Sequence, residues 1–226
     1  MTNKPKTLEE QIIARKEIRQ NRTKAFFIAA TEELIKTDGL EHTTIRKIAE
    51  KSGYGSATIY SYFDDVDELI MFASFGFRRD YLKEVSVRIT SNMNALEQYA
   101  SIYRIFNSYV FKQPDIFMNL YFGKHTHKLK QIVKDYYAIF PDEFVKQTDL
   151  ITELILQGNL FECDIVATTR LAAEGFIKEE NIKIVADILV RVHESYMQEL
   201  CVNPGKDVDV INDEFMKIFY HIIKTN

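Results

Sequence analysis

The stretch Thr43–Phe63, TTIRKIAEKSGYGSATIYSYF, decides how the rest of this chain is read. Ile45, Ile48 and Ala49 recur at i, i+3, i+4, the apolar face of a 3.6-residue period. Thr43 and Thr44 stand just before it, where a hydroxyl can accept from the orphan N–H groups of a first helical turn. Ser52-Gly53 ends it, with Gly53 free to adopt the left-handed conformation of a sharp reversal. A second, shorter helix is predicted over Ser56–Phe63, with Ile59 and Phe63 inward. Two helices joined by a short turn containing Gly form a helix-turn-helix, whose second helix is the one that enters a DNA major groove. The same pattern also serves plain core packing. What favours a nucleic-acid face is the composition of the second helix. Thr58, Tyr60, Ser61 and Tyr62 give it short hydroxyls and phenols with no Lys or Glu, groups suited to base edges and phosphate oxygens.

Outward from this motif, Thr7-Leu8-Glu9-Glu10 reads as a capping box, and neither Pro nor Gly interrupts the chain from there to Thr37. One long helix, or two broken near Asn21, is predicted. Its firm part is Arg22–Thr37, with Phe26, Ala29, Ala30 and Leu34 on one face and Gly39 as the stop. With the motif it makes a three-helix module. Beyond it, Asp64-Asp65-Val66-Asp67-Glu68 supplies a turn whose carboxylates favour a new helix start, and that helix is predicted to run on to about Ile89. Further helices are predicted over 95–111, 115–122, 124–138, 142–156, 164–173, 179–201 and 208–224, each stopped near a Gly or Pro. The expected class is all-α, divided into residues 1–66, a helix-turn-helix DNA-binding domain with a basic N-terminal extension, and 67–226, a helical effector-binding and dimerisation domain.

Composition and charge fit this division. With 226 residues and 46% hydrophobic content the chain can bury a sizeable core. No apolar run reaches the ~18 residues of a membrane span, and the polar N-terminus is no secretory signal. Cys163 and Cys201 lack C-x-x-C spacing and read as reduced, buried small hydrophobes. The net charge is −4, unevenly spread. Through residue 62 there are eleven Lys and Arg against eight Asp and Glu, a net +3 that leaves −7 for the rest. One end is therefore suited to DNA and the other is not.

Thr44-Ile45-Arg46-Lys47-Ile48-Ala49, then Gly53-Tyr54, then Ala57-Thr58-Ile59-Tyr60-Ser61-Tyr62-Phe63 and Glu68-Leu69 resemble, in order and without a gap, the TetR family of bacterial transcriptional repressors. The resemblance covers about residues 22–72. It implies a DNA face formed by Thr44, Arg46, Lys47, Ser56, Ala57, Thr58, Tyr60 and Tyr62, a palindromic double-stranded operator, and a homodimer built on C-terminal helices. It implies a cytoplasmic location and a small-molecule effector held in the C-terminal region. The chain departs from the pattern at Ser56, where a basic residue is common, and at Val66, where Lys is usual. The N-terminal extension, with Lys4, Lys6, Arg15, Lys16, Arg19, Arg22 and Lys24, is the candidate to replace those charges on DNA; a solvated tail is the other reading.

Aromatic residues concentrate between positions 70 and 140. Most such rings fill cores, but an apolar or amphipathic ligand needs the same lining. Tyr103, Phe106, Tyr109, Phe117, Tyr121, Phe122 and Tyr137 are the candidate pocket. The helix 179–201 carries Ile182, Val185, Leu189 and Val192 on one side with Ile184, Ile188 and Tyr196 spread toward another, so it is expected to be buried on two sides. No nucleophile elbow, P-loop or dinucleotide motif exists. His125 and His127 point apart on a helix and lack further ligands. Neither a cofactor, a metal nor an enzymatic activity is expected. A small-molecule-binding or adaptor protein that has lost sequence-specific DNA binding is the rival reading.

Overall fold

The computed structural model describes residues 7–144 and 149–226, and every regular element among them is helical. The chain divides into two compact units. One comprises the residues up to Gly76 together with Asp135–Phe144; the other comprises Phe77–Lys134 and Val145–Asn226.

The first unit begins with α1, Leu8–Asp38, a single uninterrupted helix. Thr7 caps it with the predicted capping box, and Gly39 ends it at φ 87°. The break considered near Asn21 does not occur, and the N-terminal extension from Leu8 onward is helix, not a tail; Lys4 and Lys6 lie outside the described residues. The buried face of α1 also differs from the expected one. Phe27, Ala30, Thr31, Leu34 and Ile35 are buried, whereas Phe26 is half exposed. Both registers satisfy a helical period, because consecutive phenylalanines at 26 and 27 offer either; packing chose Phe27, which meets the rings of Tyr54, Tyr62 and Phe63.

α2, Ile45–Ser52, follows, then α3, Ser56–Ile59, and α4, Val66–Ser74. Ile48, Ile59, Phe63, Leu69 and Phe72 join Phe27 in the core of this unit. α3 is half the predicted length. After Ile59 the chain closes in tighter turns, Ser61 N–H bonding Thr58 C=O and Tyr62 N–H bonding Ile59 C=O. The predicted helix 67–89 is also interrupted: a 3₁₀ turn, Phe75–Arg78, separates α4 from α5, Arg79–Arg88.

The second unit contains α5, α6 (Ala95–Val110), α7 (Pro114–Phe122), α9 (Asp149–Gln157), α10 (Leu160–Ala173), α11 (Ile182–Val202) and α12 (Val208–Thr225). Between α7 and α9 lies α8, Leu129–Ile139, preceded by a short 3₁₀ turn and followed by another at Pro141–Glu143. The helix predicted over 142–156 is thus shorter, although residues 145–148 lie outside the described residues. α10 starts four residues earlier than expected, because Asn159 caps it by accepting from Glu162 N–H at 2.8 Å. Its core is a stack of rings and aliphatics from α6, α10, α11 and α12: Tyr99, Tyr103, Leu171, Leu189, Phe215 and Phe219.

Within that core runs a chain of buried amides. His193 Nε2 lies 2.9 Å from Asn107 Oδ1, Asn107 Nδ2 donates to Asn212 Oδ1 at 3.2 Å, and Asn212 Nδ2 donates to the Arg104 carbonyl at 2.9 Å. The direction of the chain makes His193 Nε2 the proton-bearing nitrogen. Burial drives the imidazole pKa down to about 3, so it is neutral, stacked between Phe106 and Phe111. This relay ties α6, α11 and α12 together with directional bonds that an all-apolar core would lack.

Candidate nucleic-acid interface and effector cavity

The helix-turn-helix is built by local bonds. Thr44 caps α2, its Oγ accepting from Lys47 N–H at 3.4 Å. At the other end Gly53 takes φ 69°, and Tyr54 N–H reaches back to Ala49 C=O at 3.1 Å. This six-residue closure satisfies the last carbonyls of α2 and reverses the chain. α3 then starts at Ser56 and buries Ile59.

The predicted DNA-face residues fall into two groups. Arg46, Ala57 and Tyr60 are exposed, Ser56 and Thr58 half-buried, and Arg46 makes no ion pair among the described residues. The others have local partners. Lys47 Nζ sits 2.6 Å from Asp38 Oδ2, and that contact, with a bond from Thr37, holds the Asp38 carboxyl below its usual range. Tyr62 is half-buried, its ring 5.8 Å from Phe27. Thr44 uses its hydroxyl on its own helix.

The acidic run after the motif has a structural account as well. Asp65 Oδ1 accepts from Glu68 N–H at 2.9 Å, and Glu68 Oε2 accepts from Asp64 N–H at 2.6 Å. These carboxylates start α4 by capping its orphan N–H groups, a task to which a Lys at 66 contributes nothing. On α1, Lys24 Nζ lies over the rings of Phe63 and Phe72 at 5.6 and 5.8 Å.

In the second unit a cavity of about 80 Å³ opens among α5, α6, α9 and α10. Its walls are mostly aliphatic, with Leu82, Val85, Ile102, Ile151, Leu154 and Ile155 among them. Of the predicted pocket residues, Tyr103, Phe106 and Tyr121 line it. The other four do not. Tyr109 turns outward, its hydroxyl donating to Glu84 at 2.9 Å. Phe117 stands one layer back, its ring 6.4 Å from Tyr81 and 6.3 Å from Phe106. Phe122 ends α7 away from the cavity, and Tyr137 belongs to the first unit, packed on Tyr136 and Phe144. Aromatic content alone could not separate rings that line a space from rings that support the liners.

The polar groups of the cavity are Arg78, Tyr81, Tyr99, Tyr121 and Asp164 beside Tyr103, and apart from the two predicted tyrosines none was singled out by sequence. Arg78 is buried, and its Nε donates to Tyr81 Oη at 3.0 Å. Tyr81 and Tyr121 hydroxyls meet at 3.3 Å. Asp164 is 5% exposed and accepts from Tyr103 Oη at 2.5 Å. The Tyr99 hydroxyl lies beside the same carboxyl and the Tyr103 hydroxyl, near enough to interact with both, yet it is buried and makes no bond of good geometry to either. Burial pushes Asp164 up to about 7 despite these phenols. It pushes Tyr99, Tyr103 and Tyr121 well above the usual phenol range, and Cys163, whose thiol donates to the Leu154 carbonyl, up to about 12. A signal for Asp164 did exist: it shares a helical face with Ala167, Thr168 and Leu171, all buried, so a carboxylate there breaks an apolar stripe.

His125 is buried and His127 exposed, with ring centroids 6.1 Å apart. Among the described residues no group of three or more His, Cys, Asp or Glu is placed to hold a metal, and no helix is long and apolar enough to cross a membrane.

The chain thus combines an N-terminal helix-turn-helix with a helical second unit that encloses a cavity. Residues 27–71 match the family model described as bacterial regulatory proteins, tetR family. The fold is similar to that of Thermus thermophilus FadR, described as a TetR-family transcriptional repressor in complex with lauroyl-CoA. That similarity has a TM-score of 0.58 at 12% identity, over 87% of this chain and 92% of that one. A putative TetR-family regulator from Mesorhizobium loti matches with a TM-score of 0.47 at 14% identity, over 92% and 96% of the two chains. No curated protein matches the sequence.

Proposed function

We propose that this chain is a repressor that binds a palindromic operator as a homodimer and is released when a small molecule enters the cavity of the second unit. The observation that carries the reading is the presentation of Arg46. It stands exposed on the first turn of α2, without an ion pair among the described residues, in a module that matches the family. An arginine so placed can make a bidentate contact to a guanine edge, whereas Thr44, Ser56, Ala57, Thr58, Tyr60 and Tyr62 hold register on phosphate and sugar. Lys47 joins them only by leaving Asp38.

Dimerisation is supported by the outer faces of the last helices. α11 buries Val185, Leu189, His193 and Met197 in its own unit yet leaves Ile184 49% exposed, and α12 leaves Val210 and Tyr220 about as exposed. A second copy covering these faces would place two motifs one helical turn of DNA apart or slightly more. The Thermus relative holds lauroyl-CoA; the cavity here, at about 80 Å³, is far too small for that whole molecule. Arg78, on the cavity wall, closes the 3₁₀ turn that interrupts the α4–α5 segment. A ligand that prefers one arrangement of that turn would shift the spacing of the motifs, since equal affinity for both shifts nothing.

Retardation of a DNA fragment carrying the protein's own promoter, with light scattering at micromolar concentration, tests the reading. A shifted band and a dimeric mass are expected. A dimer that leaves both promoter and scrambled DNA unshifted would make it a small-molecule-binding or adaptor protein instead.

A further inference from the structure

We infer that the cavity is built for a small monocationic amine, whose ammonium group hydrogen-bonds to the Asp164 carboxylate beside the Tyr99 hydroxyl while a short apolar body fills the aliphatic wall. The inference rests on the reading of this cavity as the effector site and adds the chemistry of its occupant.

Three observations carry it. Asp164 is 5% exposed, yet receives one hydrogen bond, from Tyr103, where a carboxylate has sites for about four. Among the described residues no Lys, Arg or His lies within ion-pair distance of it. A buried carboxylate in that state is costly unless a cation arrives to match it. Second, the Tyr99 hydroxyl is buried on the cavity wall beside that same carboxyl and makes no hydrogen bond of good geometry. A ligand N–H placed between the two would satisfy both at once.

Third, the rest of the cavity limits what the ligand can be. Arg78 is the charged residue that shares the wall with Asp164, and its Nε is engaged with Tyr81. It repels a second positive charge, so a diamine fits poorly. The aliphatic walls favour a body without further polar groups. A cavity of about 80 Å³ admits less than the roughly 150 Å³ engineered cavity that takes benzene, hence a body of about four or five carbons.

The site also predicts its own pH dependence. The titratable and charged groups that line the cavity with Asp164 are Tyr99 and Tyr103 from α6, Cys163 on its own helix, and Arg78, Tyr81 and Tyr121. Burial drives Tyr99, Tyr103 and Tyr121 well above their usual range and Cys163 to about 12. Asp164, at about 7, is the carboxyl whose charge changes between pH 6 and 8. An ammonium ligand needs the carboxylate, so its affinity rises with pH through that window, by about tenfold.

Calorimetric titration of the full chain with isobutylamine, isobutanol and isobutyrate, which share a carbon skeleton and differ in charge, tests this at pH 6 and pH 8. Isobutylamine is expected to bind at least tenfold tighter than the other two at pH 8. It should weaken about tenfold at pH 6, and lose at least tenfold in Asp164→Asn and several-fold in Tyr99→Phe. Equal or tighter binding of isobutanol or isobutyrate, an unchanged affinity in Asp164→Asn, or no binding of isobutylamine would overturn the inference. Retention of the promoter fragment, measured with and without isobutylamine, separates the two readings. Asp164-dependent binding that leaves DNA retention unchanged would sink the effector role and leave the ligand class standing.

Discussion

The two units of this protein put their polar side chains to opposite uses. In the first, the polar groups that shape the helix starts work close to home: Thr44 bonds Lys47, Asp65 bonds Glu68 and Thr7 bonds Glu10, each three residues away. In the second, they bridge long distances along the chain. Tyr103 reaches Asp164 across 61 residues, His193 reaches Asn107 across 86, and Asn107 reaches Asn212 across 105. The first arrangement shapes a surface and leaves residues such as Arg46 available. The second spends its polar groups inside, where each lost partner is expensive. The proposed function calls for both kinds of order.

Four substitutions sharpen or break this contrast. Phe27→Ala removes a fully buried ring that meets Tyr54, Tyr62 and Phe63. It should lower stability by about 3–5 kcal/mol in urea denaturation and abolish promoter retention. A loss below about 1 kcal/mol would mean that the first unit is not organised around this ring.

Asp164→Asn examines the other unit. The Asp164 pKa is raised on folding, from 3.8 to about 7. Its folded form is therefore most stable below the unfolded pKa, and stability drains away as pH rises toward and through 7. The neutral amide escapes that loss. The variant should be more stable than wild type by on the order of 4 kcal/mol at pH 8, with the difference vanishing near pH 4. His193, held down to about 3, acts in the opposite sense, since stability is lost as pH falls from 6.5 toward 3. It is common to both proteins, so the difference between them isolates Asp164. A variant less stable at pH 8 would show that the carboxylate is matched in the folded protein.

Arg46→Ala bears on the available side of the comparison. It should cost about 1–3 kcal/mol of discrimination between operator and scrambled DNA in competition retardation, at one position of each half-site. An unchanged ratio would assign Arg46 to the phosphates. Thr44→Ala is expected to be the mildest. Loss of the α2 cap should cost about 1 kcal/mol of thermal or urea stability, and a variant indistinguishable from wild type would show that the 3.4 Å bond contributes nothing.

The extension before the module also separates the units by charge. Arg15, Lys16 and Arg19 are exposed on the first turns of α1. If they lie along phosphate, replacing Arg15 and Arg19 with alanine flattens the slope of log K against log salt by about 1.8, at about 0.9 for each contact.

What the sequence by itself determined is the order that acts over three to five residues. The all-α class, the capping box at Thr7, the stop at Gly39, the turn at Gly53 and the cap before α2 are set by backbone sterics and nearby hydroxyls, so their residues are visible side by side. Tertiary structure decided what depends on partners far along the chain. It chose Phe27 over Phe26 as the core ring, ended α3 at Ile59 and interrupted the helix predicted over 67–89. It turned Lys47 onto Asp38 and gathered Arg78, Tyr99, Tyr103, Tyr121 and Asp164 around one cavity while leaving Tyr109, Phe117, Phe122 and Tyr137 outside it. Helical periodicity says that a side chain points inward. Only the packing of several helices says whether it meets another ring, a carboxylate or a space.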